Sequence, residues 1–215
     1  MQGLNEAWEA IRFGGVMIYP LLALGVIALY IMIDKAYVHM RYVRIQAPLL
    51  ELVETYGFSW GELEKQVKSL EERHYFGRFF RPILENRAKP AWWVESRAAD
   101  EAQQIEKSMS RGLWVLETVV TAAPLLGLLG TITGMMHAFK LIGGAGLVDP
   151  TGVTAGVAQA LIATALGLFI ALISLFAFNF YSRLQSQTLD EMERLGTRLI
   201  DHIRMDQEGA GSEAA

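Results

Sequence analysis

Val153–Tyr181, VTAGVAQALIATALGLFIALISLFAFNFY, contains no Asp, Glu, Lys or Arg and is followed closely by Arg183. A helix needs about 20 predominantly apolar residues to cross a hydrocarbon core, so this stretch decides the fold class: it reads as a membrane span. Two further stretches follow the same logic. Gly14–Ile33, GGVMIYPLLALGVIALYIMI, is free of charge, and Leu113–Leu141 is interrupted only by Glu117 near one end and by His137 and Lys140 near the other. The first of these is expected to be retained, because a secretory signal needs a basic start and a small-residue cleavage site. Here Glu6 and Glu9 precede the run and Asp34 and Lys35 close it.

Composition agrees with a membrane protein. Of the 215 residues 52% are hydrophobic and 20% charged, and mean hydropathy is positive. The net charge of −4 hides a segregation along the chain. Of the 19 Lys and Arg, all but Arg12 and Lys140 fall between Asp34 and Gly112 or after Tyr181. Basic residues are retained on the cytoplasmic side, which places the N-terminus outside and the C-terminus inside. The layout expected is an all-α membrane protein with long helices extending into the cytoplasm. It divides into a periplasmic start (1–13), span one (14–33), a cytoplasmic helical insert (34–112), span two (113–139), a periplasmic loop (140–152), span three (153–182), a cytoplasmic helix (183–205) and a disordered tail (206–215). In a bacterium this is a multi-pass protein of the inner membrane.

Within the insert, Ser59 and Glu62 have the spacing of a capping box ahead of Leu63, Val67 and Leu70 at helical intervals. From Pro90 the sequence runs without further proline into the second span, so one continuous helix is expected there. The stretch HYFGRFFRPIL reads as an amphipathic packing face, with a membrane-surface or intersubunit role as the alternative. Beyond the third span, Leu189, Met192, Leu195, Leu199 and Ile203 recur at helical spacing.

The spans carry stripes of small residues. In the second, Ala123, Gly127, Thr131, Gly134 and Ala138 share one face; in the third, Gly156, Ala160, Thr164, Gly167, Ala171 and Ser174 do so. Small residues let backbones approach closely where lipid supplies no hydrophobic drive. The bland reading is therefore helix packing, here against partner helices. The sharper one is a conduit wall, since the threonine hydroxyls can donate and accept hydrogen bonds. Gln159, an amide at membrane depth, needs protein or water beside it. No side chain between Val153 and Tyr181 titrates near neutral pH, so a proton passing this wall would need an acid from another polypeptide.

No cysteine is present, which excludes thiol chemistry and Cys-based metal sites. Neither a His-Glu-x-x-His nor a Gly-x-Ser-x-Gly pattern occurs. No catalytic residue, metal, cofactor or nucleic-acid partner is expected, and the chain does not read as an enzyme.

The runs APLLGLLGTITGMMHAF (Ala123–Phe139) and GVAQALIATALGLFIALISLFAFN (Gly156–Asn179) closely resemble the MotA/TolQ/ExbB proton-channel family, and the three-span layout resembles its ExbB/TolQ branch. Tyr19-Pro20-Leu21 in the first span is also similar to that branch. The resemblance implies a proton-driven stator. In it, a homo-oligomer, expected as a pentamer, surrounds the single spans of an ExbD- or TolR-like partner that carries the proton-binding aspartate. Work would pass to a TonB- or TolA-like protein. The family's pore threonines fall on Thr131 and Thr164, and Gln159 stands where glutamate is common in ExbB and TolQ. That departure motivates the alternative of a non-conducting scaffold. A MotA-like flagellar stator fits less well, having a fourth span.

Overall fold

A computed structural model of the chain describes residues 15–43, 49, 52–53, 58–142 and 150–213. The expected start (1–13) and most of the 140–152 loop lie outside the described residues. Helix α1 covers Ile18–Val38 and passes into a π-helical turn at His39–Val43; α2 is Trp60–Ser69, α3 Tyr75–Glu85, α4 Ala91–Ser110, α5 Leu113–Ile142 and α6 Pro150–Glu213. Among the described residues, three helical segments are long and apolar enough to cross a membrane: Ile18–Val43, Ala91–Lys140 and Thr151–Gly209. The all-α, three-span reading holds.

The chain forms two compact units: Met1–Ile33 with Gly112–Phe180, and Asp34–Arg111 with Tyr181–Ala215. The first holds α1, α5 and the first half of α6. Its large apolar side chains point outward, among them Tyr30, Leu125, Leu128, Leu161, Phe169 and Phe176, while its buried positions are mostly small: Ala28, Ala123, Ala138, Ala160, Ala163 and Ala171. This inversion suits a helix group whose solvent is lipid.

The second unit is built like a soluble core. Leu63 and Val67 of α2, Phe76, Phe79, Phe80 and Ile83 of α3, Val94, Ala98, Ile105 and Met109 of α4, and Met192, Leu195, Leu199 and Ile203 of α6 bury into one cluster. At about 1.5–3 kcal/mol for each large buried side chain, this cluster is what holds the unit together. The aromatic stretch at α3 is thus a packing face. Its Arg78 pairs with Glu101 of α4 at 2.7 Å, while Arg81 is exposed. Buried Lys35 donates from Nζ to the Met109 carbonyl at 2.8 Å, satisfying an acceptor in the last turn of α4.

Three local expectations come out differently. Ser59 is the N-cap of α2 in extended conformation, but its side chain makes no capping bond. The continuous helix expected from Pro90 is two helices, because the backbone turns at Gly112 with φ of 88°, a left-handed conformation that favours glycine after a helix end. The tail reading of 206–215 also differs, since α6 runs on through Glu213. Adding a turn to an existing helix is cheap compared with starting one, and two tertiary bonds hold this turn. Trp60 Nε1 donates to Asp206 at 2.8 Å and Gln207 Nε2 donates to the Lys89 carbonyl at 2.7 Å.

Candidate channel-wall site

The small-residue stripes of α5 and α6 meet each other. A Cβ placed on Gly127 would lie 3.1 Å from the Thr164 Cα, and one on Gly134 would lie 3.0 Å from both the Ala160 Cβ and the Gly156 carbonyl oxygen. On Gly167 it would lie 2.5 Å from the Ala123 carbonyl oxygen. Ala123, Gly127, Gly134, Ala160 and Gly167 are all buried within the chain. They pack the chain's own helices, so the partner-facing half of the expectation does not describe these five residues. Ala171 and Ser174 continue the buried stripe of α6; among the described residues the Ser174 hydroxyl has no hydrogen-bond partner.

Close approach places the two threonines in one local arrangement. Thr164 Oγ1 donates across the helix pair to the Gly127 carbonyl at 3.0 Å. In a regular helix that carbonyl also accepts the N–H of the residue four positions on, which is Thr131. Thr131 Oγ1 donates to the Leu128 carbonyl of its own helix at 2.6 Å. With both hydroxyl hydrogens engaged by carbonyls, what each oxygen retains is its lone pairs, so each acts as an acceptor.

Gln159 lies elsewhere. It is five residues before Thr164, hence about 140° around α6, and its side chain packs against Gly15, where an added Cβ would overlap the amide. Gly15 has φ of 73° and opens the first turn of α1, its carbonyl accepting the Ile18 N–H at 3.2 Å. Gln159 therefore belongs to the α1–α6 contact, together with Ile170, which approaches Gly25.

One close pair was not singled out from the sequence. A Cβ on Gly130 would lie 2.5 Å from the Ala163 Cβ and 3.6 Å from the Met17 Cβ, so this glycine sits where all three helices converge. Gly130 is three residues after Gly127 and Ala163 four before Gly167, spacings that a wider search for small residues would have caught. Among the described residues no cluster of three or more His, Asp and Glu is arranged to hold a metal ion.

A three-span helical membrane protein with a close-packed, hydroxyl-bearing helix pair in one unit and a helical bundle in the other is the class these features define. Residues 71–194 match the MotA/TolQ/ExbB proton channel family, and the chain belongs to that family. It is 31% identical over 195 residues to the biopolymer transport protein ExbB-like 1 of Synechocystis sp., covering 86% of this chain and 74% of that protein. It is 27% identical over 192 residues to a biopolymer transport protein ExbB homolog of Methanothermobacter thermautotrophicus, covering 86% of this chain and 66% of the other. To the biopolymer transport protein ExbB of Aquifex aeolicus it is 39% identical over 92 residues, covering 43% and 62% respectively. The chain is an ExbB-like member of a family of channel and transport subunits; it is not an enzyme.

Proposed function

We propose that this chain is the channel-forming wall of a proton-driven stator in the bacterial inner membrane, coupling the proton gradient to work in the cell envelope. An ExbD- or TolR-like single-span partner supplies the titrating aspartate, a pentamer of this chain encloses it, and a TonB- or TolA-like protein receives the work. The N-terminus faces the periplasm and the C-terminus the cytoplasm, following the basic residues.

The observation that carries this reading is the Thr164–Gly127 bond one turn from Thr131. Two acceptor oxygens lie at membrane depth in a wall whose third span has no acid or base of its own. At the level of these threonines such a wall can pass a proton along but cannot store one. Thr164→Val preserves shape and removes the hydroxyl. It is expected to lower proton flux through a complex that still assembles with its partner; flux equal to wild type in that complex refutes the role.

Gln159 favours a second reading, a non-conducting scaffold, because an amide stands where the resemblance to ExbB and TolQ implies glutamate. Its position against Gly15, away from the threonines, is compatible with conduction. Ion flux in liposomes holding the whole complex separates the two readings.

A further inference from the structure

The first turns of α5 carry polar groups on their exposed face. Trp114, Glu117, Thr118 and Thr121 are all exposed, and Leu125 and Leu128 continue the face further along. Trp114 is 66% exposed, as suits a residue of the interfacial aromatic belt. Glu117 lies about one turn further in, roughly 15 Å from the middle of α5, which is the edge of a ~30 Å hydrocarbon core.

Residues along a helix rotate by about 100° each, so Glu117, Thr121, Leu128 and Thr131 fall within about 80° of one another. The same face therefore runs from the threonine of the channel wall to a carboxylate at the membrane edge. Its two hydroxyl hydrogens turn inward: Thr121 Oγ1 donates to the Thr118 carbonyl at 3.0 Å, as Thr131 does to Leu128; next to this face Thr118 Oγ1 donates to the Trp114 carbonyl at 2.8 Å. Pro124 lies within α5 and has no N–H to offer the Val120 carbonyl one turn earlier. The polar side chains of this face, with Leu128 between Thr121 and Thr131, present acceptor lone pairs and a carboxylate. That pattern attracts a proton-bearing species, hydronium above all, and repels anions.

We propose that Glu117 is the last proton acceptor of the channel wall. Hydronium arriving by water from the level of Thr131 gives its proton to the Glu117 carboxylate, leaving water and a carboxylic acid. The acid then returns the proton to bulk water at that mouth and the carboxylate is regenerated. The proposal rests on the proton-channel reading above and adds to it a titrating residue of this chain.

The bland account of Glu117 is a charged group that solvates a helix end at the interface, reaching water on its own stem. The full chain with its single-span partner, in liposomes containing a pH-sensitive dye, tells them apart. An acceptor role requires E117Q to lose flux on the order of a hundredfold, the lower end of what a positioned acid–base group contributes, and E117D to recover most of it. E117Q conducting like wild type overturns the proposal. Should E117Q fail to assemble, E117D and E117N form a pair of equal length that differ only in titration. Aspartate must then exceed asparagine at least about tenfold, and equality overturns the proposal. A wild-type complex that passes no protons overturns the channel reading as well, so the two failures are distinguishable.

Discussion

Gly167→Ala places a methyl group 2.5 Å from the Ala123 carbonyl oxygen and 3.1 Å from the Gly127 Cα. Both are backbone atoms of α5, so no side-chain rotation relieves the contact. Restoring ordinary van der Waals distance requires α5 and α6 to separate locally by about 1 Å. The Thr164–Gly127 hydrogen bond, 3.0 Å long, then stretches to about 4 Å, beyond hydrogen-bonding range. Overpacking costs about 1–3 kcal/mol and the lost bond about 0.5–1.5 kcal/mol, so together the destabilisation is about 1.5–4.5 kcal/mol. Gly130→Ala provides the control, because its clash at 2.5 Å is with the Ala163 methyl, which a second substitution removes. Unfolding of the purified chain in lipid nanodiscs, followed by circular dichroism, measures both. Gly167→Ala should be destabilised whatever is done to neighbouring side chains, whereas adding Ala163→Gly to Gly130→Ala should recover most of its loss. Gly167→Ala within about 0.5 kcal/mol of wild type, or no recovery in the double variant, refutes the packing described for α5 and α6.

Two further predictions concern the soluble-like unit. Phe80 is fully buried, with ring centroids of Phe79 and Phe76 at 5.5 Å and 6.1 Å; Phe80→Ala should cost about 3–5 kcal/mol, read as a lowered unfolding midpoint. Burial holds the Tyr75 phenol above its ordinary value of 10.0, with Arg78 opposing the shift and Asp34 adding to it. The unfolded chain therefore loses this proton first as pH rises past 10, and stability should fall from there toward the folded value. Tyr75→Phe removes the phenol, so the alkaline part of its stability profile should be flatter than that of wild type.

The spans were legible because crossing a bilayer demands length and freedom from charge, both of which are linear properties of sequence. The buried face of the second half of α6 was legible for a similar reason, since Met192, Leu195, Leu199 and Ile203 repeat with the helix. Periodicity assigns residues to a face but does not say what that face meets. Gly127 and Gly134 lie in the small-residue stripe of α5 and Gly167 in that of α6, and their contacts are with each other's helices, a fact about pairing that no single helix encodes. Gln159 was read as an amide at membrane depth that needs protein or water beside it, and its contact with Gly15, five residues from Thr164 and most of the way to the opposite side of α6, is not encoded in the helix that carries it. The turn at Gly112 was missed because an isolated glycine in a long helical pattern is tolerated and does not by itself mark a helix end. The last turns of α6 depend on bonds to Trp60 and Lys89, far away in sequence.

The central claim is that this chain guides a proton whose mid-membrane acid belongs to another polypeptide. Proton flux through liposomes holding the chain alone, compared with liposomes holding the chain and its single-span partner, tests it most directly. The account predicts that only the second preparation conducts, and that replacing the partner's membrane aspartate by asparagine abolishes the flux. Full-rate conduction by the chain alone contradicts it.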